Sequence, residues 1–174
     1  MYRINKLDYF VGVFLTTILN SSKDMPTLFD GTKDSKRVEF STGMGDFNSY
    51  IKYSTKMVES TTSIKVGKRK KVSWNIIFSD KDYKILKDSF YTKGRNNFIC
   101  LVCANKKLNV TYLAALEYEN AMKCLNKSTP SGSRRITVTR TGGEYNFNCY
   151  GVGFKEEDFI QIPVDPTNFL GLKE

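Results

Sequence analysis

Seven consecutive residues, Phe98 to Ala104, carry only apolar side chains. Successive side chains of a strand point to opposite faces, so an apolar run without alternation reads as a central strand buried on both faces. Such a strand needs a sizeable core around it. The chain can supply one: it has 174 residues, 40% of them hydrophobic and 13% aromatic. A domain of this length buries roughly 70% of the surface its unfolded chain exposes and needs no disulfide or metal to stand.

The pattern on either side of that run is α+β. Lys6–Ser21 repeats Leu7, Phe10, Val11, Phe14 and Ile18 at helical spacing, with Asn5 as cap and Asp8 completing a variant capping box. Val13, Leu15 and Leu19 widen the stripe, so this helix is expected to be largely buried. Arg37–Thr42 and Asn48–Ser54 read as a hairpin about Gly43-Met44-Gly45-Asp46. Val38, Phe40, Ile51 and Tyr53 share one face, and Glu39 and Lys52 are expected opposite each other on the other. Val72–Phe78 is a third strand. Ser79 and Asp82 then open a second helix, whose buried face is Tyr83, Leu86 and Phe90.

Tyr112–Tyr118 reads as a strand and Glu119–Leu125 as a short helix. Arg134–Arg140 and Tyr145–Val152 form a hairpin about Gly142-Gly143. A two-residue turn there would pair Ile136 with Cys149 and Val138 with Phe147. Phe159–Ile162 is a last short strand, with Pro163 suited to a sheet edge. No linker or repeat divides the chain. The expected fold is one α+β domain over residues 1–174: a mostly antiparallel mixed sheet with two or three helices packed against it, and an irregular tail from about residue 166.

Histidine is absent. That removes the commonest general base, the Ser-His and Cys-His nucleophile pairs and every imidazole-bound zinc site. Cys100 and Cys103 spell CxxC, but a strand sends residues three apart to opposite faces, so both are expected to be buried thiols. Cys124 and Cys149 complete the set, and reduced cysteines suit a cytoplasmic protein. Gly43-Met44-Gly45 and Gly151-Val152-Gly153 lack the further glycine and lysine of a phosphate loop. The apolar run Tyr9–Leu19 is too short to span a bilayer, Asp8 precedes it, and no small-x-small cleavage site follows. No membrane association and a cytoplasmic location are expected.

One catalytic arrangement is conceivable. Asp30, Glu39, Asp46 and Lys52 lie in or near the first hairpin, and carboxylates with a lysine are what a Mg²⁺-dependent nuclease requires. The order of helix, strands, helix and strand resembles the PD-(D/E)xK nuclease core. The motif itself is missing: Tyr50 stands two residues before Lys52 in place of an acid, and Pro26 and Asp30 are not adjacent. A cross-strand ion pair of Glu39 with Lys52 is the favoured reading, with no cofactor.

The strongest positive signal is segregated charge. The net charge is +9 and the sequence pI about 9.3. From Ser60 to Ser79 there is no acid, while Lys65, Lys68, Arg69, Lys70 and Lys71 are all present. A second acid-free stretch, Asn120 to Gly143, holds Lys123, Lys127, Arg134, Arg135 and Arg140. Lysine-rich loops contact phosphates without reading bases. Tyr53, Trp74, Tyr145 and Tyr150 lie near enough in sequence to stack on bases, although several suit a core. The expected function is non-catalytic nucleic-acid binding through phosphates. The rivals are the metal-dependent nuclease and an inhibitor or adaptor that docks on an acidic protein surface. A Lys-, Asn- and Ile-rich composition is associated with bacterial, phage or mobile-element sources.

Overall fold

A computed structural model of the protein describes residues 4–21, 27–28, 37–65 and 67–165. The class is the one expected, α+β with mostly antiparallel pairing, and the described strands are shared between two sheets of five. The first sheet runs in the order β1 (Thr27–Leu28), β2 (Arg37–Thr42), β3 (Gly45–Ser54), β6 (Asn96–Ala104), β7 (Thr111–Glu117). The second runs β10 (Ile160–Pro163), β9 (Asn146–Tyr150), β8 (Arg134–Thr141), β5 (Gly67–Phe78), β4 (Met57–Ile64). After β3 the chain leaves the first sheet, builds β4 and β5 in the second, and returns to place β6 parallel to β3. All other pairings are antiparallel.

Strand β6 is buried on both faces, as its composition requires. Cys100, Val102 and Ala104 join Phe40, Phe47 and Ile51 in a core beneath helix α1 (Lys6–Ser21). Ile99, Leu101 and Cys103 face the other way, into a larger core between the sheets with Trp74, Ile76, Phe78, Val138 and Phe147. The layers are therefore helix, sheet and sheet. The indole of Trp74 crosses the second core and donates to the Ala104 carbonyl at 2.9 Å.

Helix α1 begins where its cap dictates. Asn5 Oδ1 accepts from the amides of Leu7 and Asp8, and Asp8 Oδ2 accepts from the Asn5 amide at 2.9 Å. Only one face is covered: Phe10, Phe14 and Ile18 are buried, whereas Tyr9 and Leu19 face solvent. Helix α2 (Asp80–Ile85) carries the expected capping box and runs into a π-turn, Leu86–Phe90. With α3 (Tyr118–Cys124) it contributes Leu86, Phe90, Ala121 and Cys124 to the inter-sheet core.

Two registers differ from expectation. The β2–β3 turn is tight, with Thr42 opposite Gly45, so Glu39 faces Asn48 rather than Lys52. The β8–β9 loop has four residues, 142–145, and Val138 pairs with Cys149. Gly143 takes φ +83 there, a left-handed value that glycine adopts without strain. Both differences are even numbers of residues, so the expected apolar faces are kept and only the partners change. Pro163 does sit on an edge strand. No helix among the described residues is long and apolar enough to cross a membrane.

Candidate nucleic-acid interface

The basic segment is a strand rather than a loop. Its residues belong to β5, paired residue for residue with β4: Ser60 with Lys71, Thr61 with Lys70, Thr62 with Arg69 and Ser63 with Lys68. Strand β8, the other neighbour of β5, pairs only from Lys71 onward. Residues 67–70 therefore have a single strand partner, and the β4–β5 hairpin continues past the sheet as a two-stranded ribbon. At about 3.3 Å per residue the free part is roughly 13 Å long. Lys65 lies in the turn at its tip, paired ends Ile64 and Gly67 on either side.

Lys65, Lys68, Arg69 and Lys70 are exposed and Lys71 is half-buried. Strand alternation splits them: Lys68 and Lys70 share the side of Val72 and Trp74, and Arg69 and Lys71 take the opposite side. One acid enters the group from across the strand. Glu59, just outside the acid-free stretch, bridges Lys70 at 2.9 Å with both side chains half or more exposed. A pair so open to water contributes little. The Lys70 carbonyl accepts from the Gly142 amide at 2.8 Å, which ties the ribbon's base to the β8–β9 loop.

The three arginines of β8 are not one patch. Arg140 lies opposite Val72, at the ribbon's base. Arg134 and Arg135 lie at the other end of β8, roughly 20 Å from Arg140 along the strand. Arg134 is engaged structurally: Nη1 donates to the Leu125 and Asn126 carbonyls at 2.6 and 2.9 Å, closing the end of α3, and the guanidinium stacks 3.9 Å over Tyr83. Arg135 is on the outer face of the second sheet, opposite Ile77. Of the aromatics, Trp74 is fully buried, Tyr53 stacks on Phe10 at 4.3 Å and Tyr150 on Phe159 at 4.2 Å. Tyr145 alone of the four is open, 90% exposed in the loop beside the ribbon.

The four residues of the nuclease arrangement are dispersed. Asp30 lies outside the described residues. Glu39 pairs with Arg37 at 2.6 Å and with Arg95. Asp46 is exposed at the start of β3. The tighter hairpin carries Lys52 four residues, about 13 Å, past the position facing Glu39. The cross-strand pair of Glu39 with Lys52 is thus replaced by three other ion pairs, two at Glu39 and one at Lys52. Lys52 donates instead to Asp82 at 2.8 Å, a buried carboxylate that also accepts from the Tyr50 hydroxyl at 2.7 Å and from the Ser79 hydroxyl and amide. The sequence marks Asp82 only as a helix cap. Among the described residues no group of three or more Asp, Glu or Cys is disposed to hold a metal ion.

No family model, curated protein or solved structure matches this chain. Its cysteines offer no reactive centre at neutral pH. All four are free and buried. Burial pushes the Cys100 and Cys124 thiols up to about 12, and it raises those of Cys103 and Cys149 as well. As the CxxC spacing in a strand implies, Cys100 faces the helix-side core and Cys103 the inter-sheet core.

Proposed function

We propose that this protein is a non-catalytic nucleic-acid-binding protein that grips phosphates with the β4–β5 ribbon. One observation carries the reading: β5 outruns β8, so Lys68, Arg69 and Lys70 stand on a free two-stranded ribbon opposite Ser63, Thr62 and Thr61, with Lys71 at its base opposite Ser60. The major groove of B-DNA admits a two-stranded β-ribbon. Cations on both sides of such a ribbon meet the phosphates of both groove walls, while hydroxyls add uncharged donors. Tyr145 offers a ring for stacking beside the ribbon's base. Phosphate contacts fix position without reading sequence, so weak base preference is expected.

The test is the salt dependence of binding to a labelled duplex, for the native chain and for Lys68, Arg69, Lys70 and Lys71 all changed to Gln. Each phosphate contact contributes about 0.9 to the slope of log K against log salt. A ribbon seated in a groove loses about 3.6 units of slope, and one lying on a single face loses about 1.8. An unchanged slope, or no binding at low salt, overturns the proposal.

A further inference from the structure

Behind the ribbon's base lies a cavity of about 260 Å³ between the inner side of β4–β5, the end of β8 and strand β7, lined by Met57, Glu59, Lys70, Val72, Tyr112 and Arg140 among others. Arg140 is the unusual member. Its guanidinium lies 4.8 Å over the Tyr112 ring, and that ring is wedged edge-on against Trp74 and Phe147. Its Nε is buried with no acceptor, as is that of Arg134, but unlike Arg134 its terminal nitrogens donate to no carbonyl among the described residues. Among the described residues Arg140 makes no ion pair, in contrast to Arg37, Lys52, Lys70 and Arg95. A rigid planar fork held against an aromatic face at the cavity wall is suited to bidentate recognition of an oxyanion through its terminal nitrogens. Lys70 is the second cation, paired with the exposed carboxylate of Glu59.

We infer that this cavity binds a phosphate monoester, with Arg140 and Lys70 as its ligands and the apolar floor of Met57, Val72 and Tyr112 receiving part of the attached nucleotide. A monoester carries close to two negative charges, whereas an internal phosphodiester carries one. The dianion competes for Lys70 against the single charge of Glu59, which a diester does not. Two sources share this chemistry, the phosphorylated end of a nucleic-acid strand and a free nucleotide. The strand end is the assignment that rests on the ribbon reading above, because Lys70 belongs to both surfaces.

The experiment compares oligonucleotides ending in a phosphate with the same oligonucleotides ending in a hydroxyl, and includes a nucleoside monophosphate and inorganic phosphate as separate arms. The native chain is expected to prefer the phosphorylated end by about tenfold, the scale of a charge-assisted hydrogen-bonded contact. Arg140→Lys, which keeps the charge and loses the fork, should bring the phosphorylated end down to the affinity of the hydroxyl end and so abolish the preference. Lys68→Gln should weaken both oligonucleotides equally. Arg140-dependent binding of the monophosphate without oligonucleotide binding would uphold the cavity and sink the ribbon. Equal affinity for both ends, together with no binding of the monophosphate, would overturn the cavity assignment while leaving the ribbon standing. The native chain's preference is read without any substitution, so a variant that unfolds does not decide the result.

Discussion

Replacing Asp82 by Ala should remove a large share of the protein's stability. The Asp82 side chain is 3% exposed and that of Lys52 16%. The carboxylate accepts from Lys52 Nζ, the Tyr50 hydroxyl and the Ser79 hydroxyl and amide, at 2.7 to 3.0 Å. Losing it leaves the fully buried Tyr50 hydroxyl without this acceptor, strands an ammonium, and removes half of the box that starts α2. Breaking a buried ion pair costs about 3–5 kcal/mol, and the lost cap overlaps with that figure. Lys52 can swing toward solvent along its flexible stem, which holds the total near the lower end of the range. Lys52→Met should cost less, about 2 kcal/mol, because Tyr50 and Ser79 still donate to the carboxylate. The double mutant should fall short of the summed losses by about 1–2 kcal/mol, as for residues in direct contact. Urea unfolding followed by circular dichroism, with an unchanged m-value, measures all three. Since domains are stable by only about 5–15 kcal/mol, the Asp82 loss is easily resolved. A loss below about 1 kcal/mol for Asp82→Ala, or additive single mutants, would refute the reasoning. A Lys52 retained for chemistry would instead tolerate Met with little change in stability.

Arg134→Gln should cost about 1–2 kcal/mol by removing the donor to the Leu125 and Asn126 carbonyls, and should leave nucleic-acid affinity unchanged, as paired unfolding and binding measurements would show. The native thiols should resist a disulfide reagent at pH 8, and the denatured chain should titrate four. Because burial raises the thiol pKa values, the native state keeps its protons while the unfolded chain loses them. Stability is therefore fully present below about pH 9 and declines as pH rises toward 12, by about 1.4 kcal/mol per unit for each thiol. A flat profile from pH 8 to 11 would contradict the burial. Gly151→Ala should lower the melting temperature sharply, because a Cβ there would lie 1.9 Å from the Cys124 carbonyl oxygen, and backbone rather than a flexible side chain must give way. Wild-type melting would mean that the end of β9 does not pack on α3 as described.

Side-chain periodicity is a local property, and what depends on it was legible in the chain alone. The caps at Asn5 and Ser79, the double burial of Phe98–Ala104 and the inward faces of β2, β3, β5, β8 and β9 all follow from residue type and spacing. Register is not local. Both hairpins differ by an even number of residues from the pairing their turns suggest, so faces survive and partners do not. That is why Glu39 and Lys52 share a side yet meet different ions. Nor does spacing say which sheet a strand joins. Strands β3 and β6 lie side by side although β4 and β5, between them in sequence, are in the other sheet.

The candidate site shows the same division. Positive charge between Lys65 and Lys71 is plain in the sequence, and so is the absence of acids around it. The ribbon is not, because β4 has few apolar residues and gains its strand conformation by pairing with β5, which runs on past the end of β8. Arg134 and Arg140 are the same residue type on the same strand and the same face, six positions apart. Both stack on a tyrosine and leave Nε without an acceptor, but Arg134 donates through Nη1 to two carbonyls at the end of α3, whereas Arg140 lies over Tyr112 at the ribbon's base. Residue type alone determined that both carry charge and a planar fork. Which fork donates to carbonyls and which lies over a ring without them was decided only when α3 and β7 packed against opposite ends of β8, since a carbonyl can satisfy a guanidinium only where the fold brings the two together.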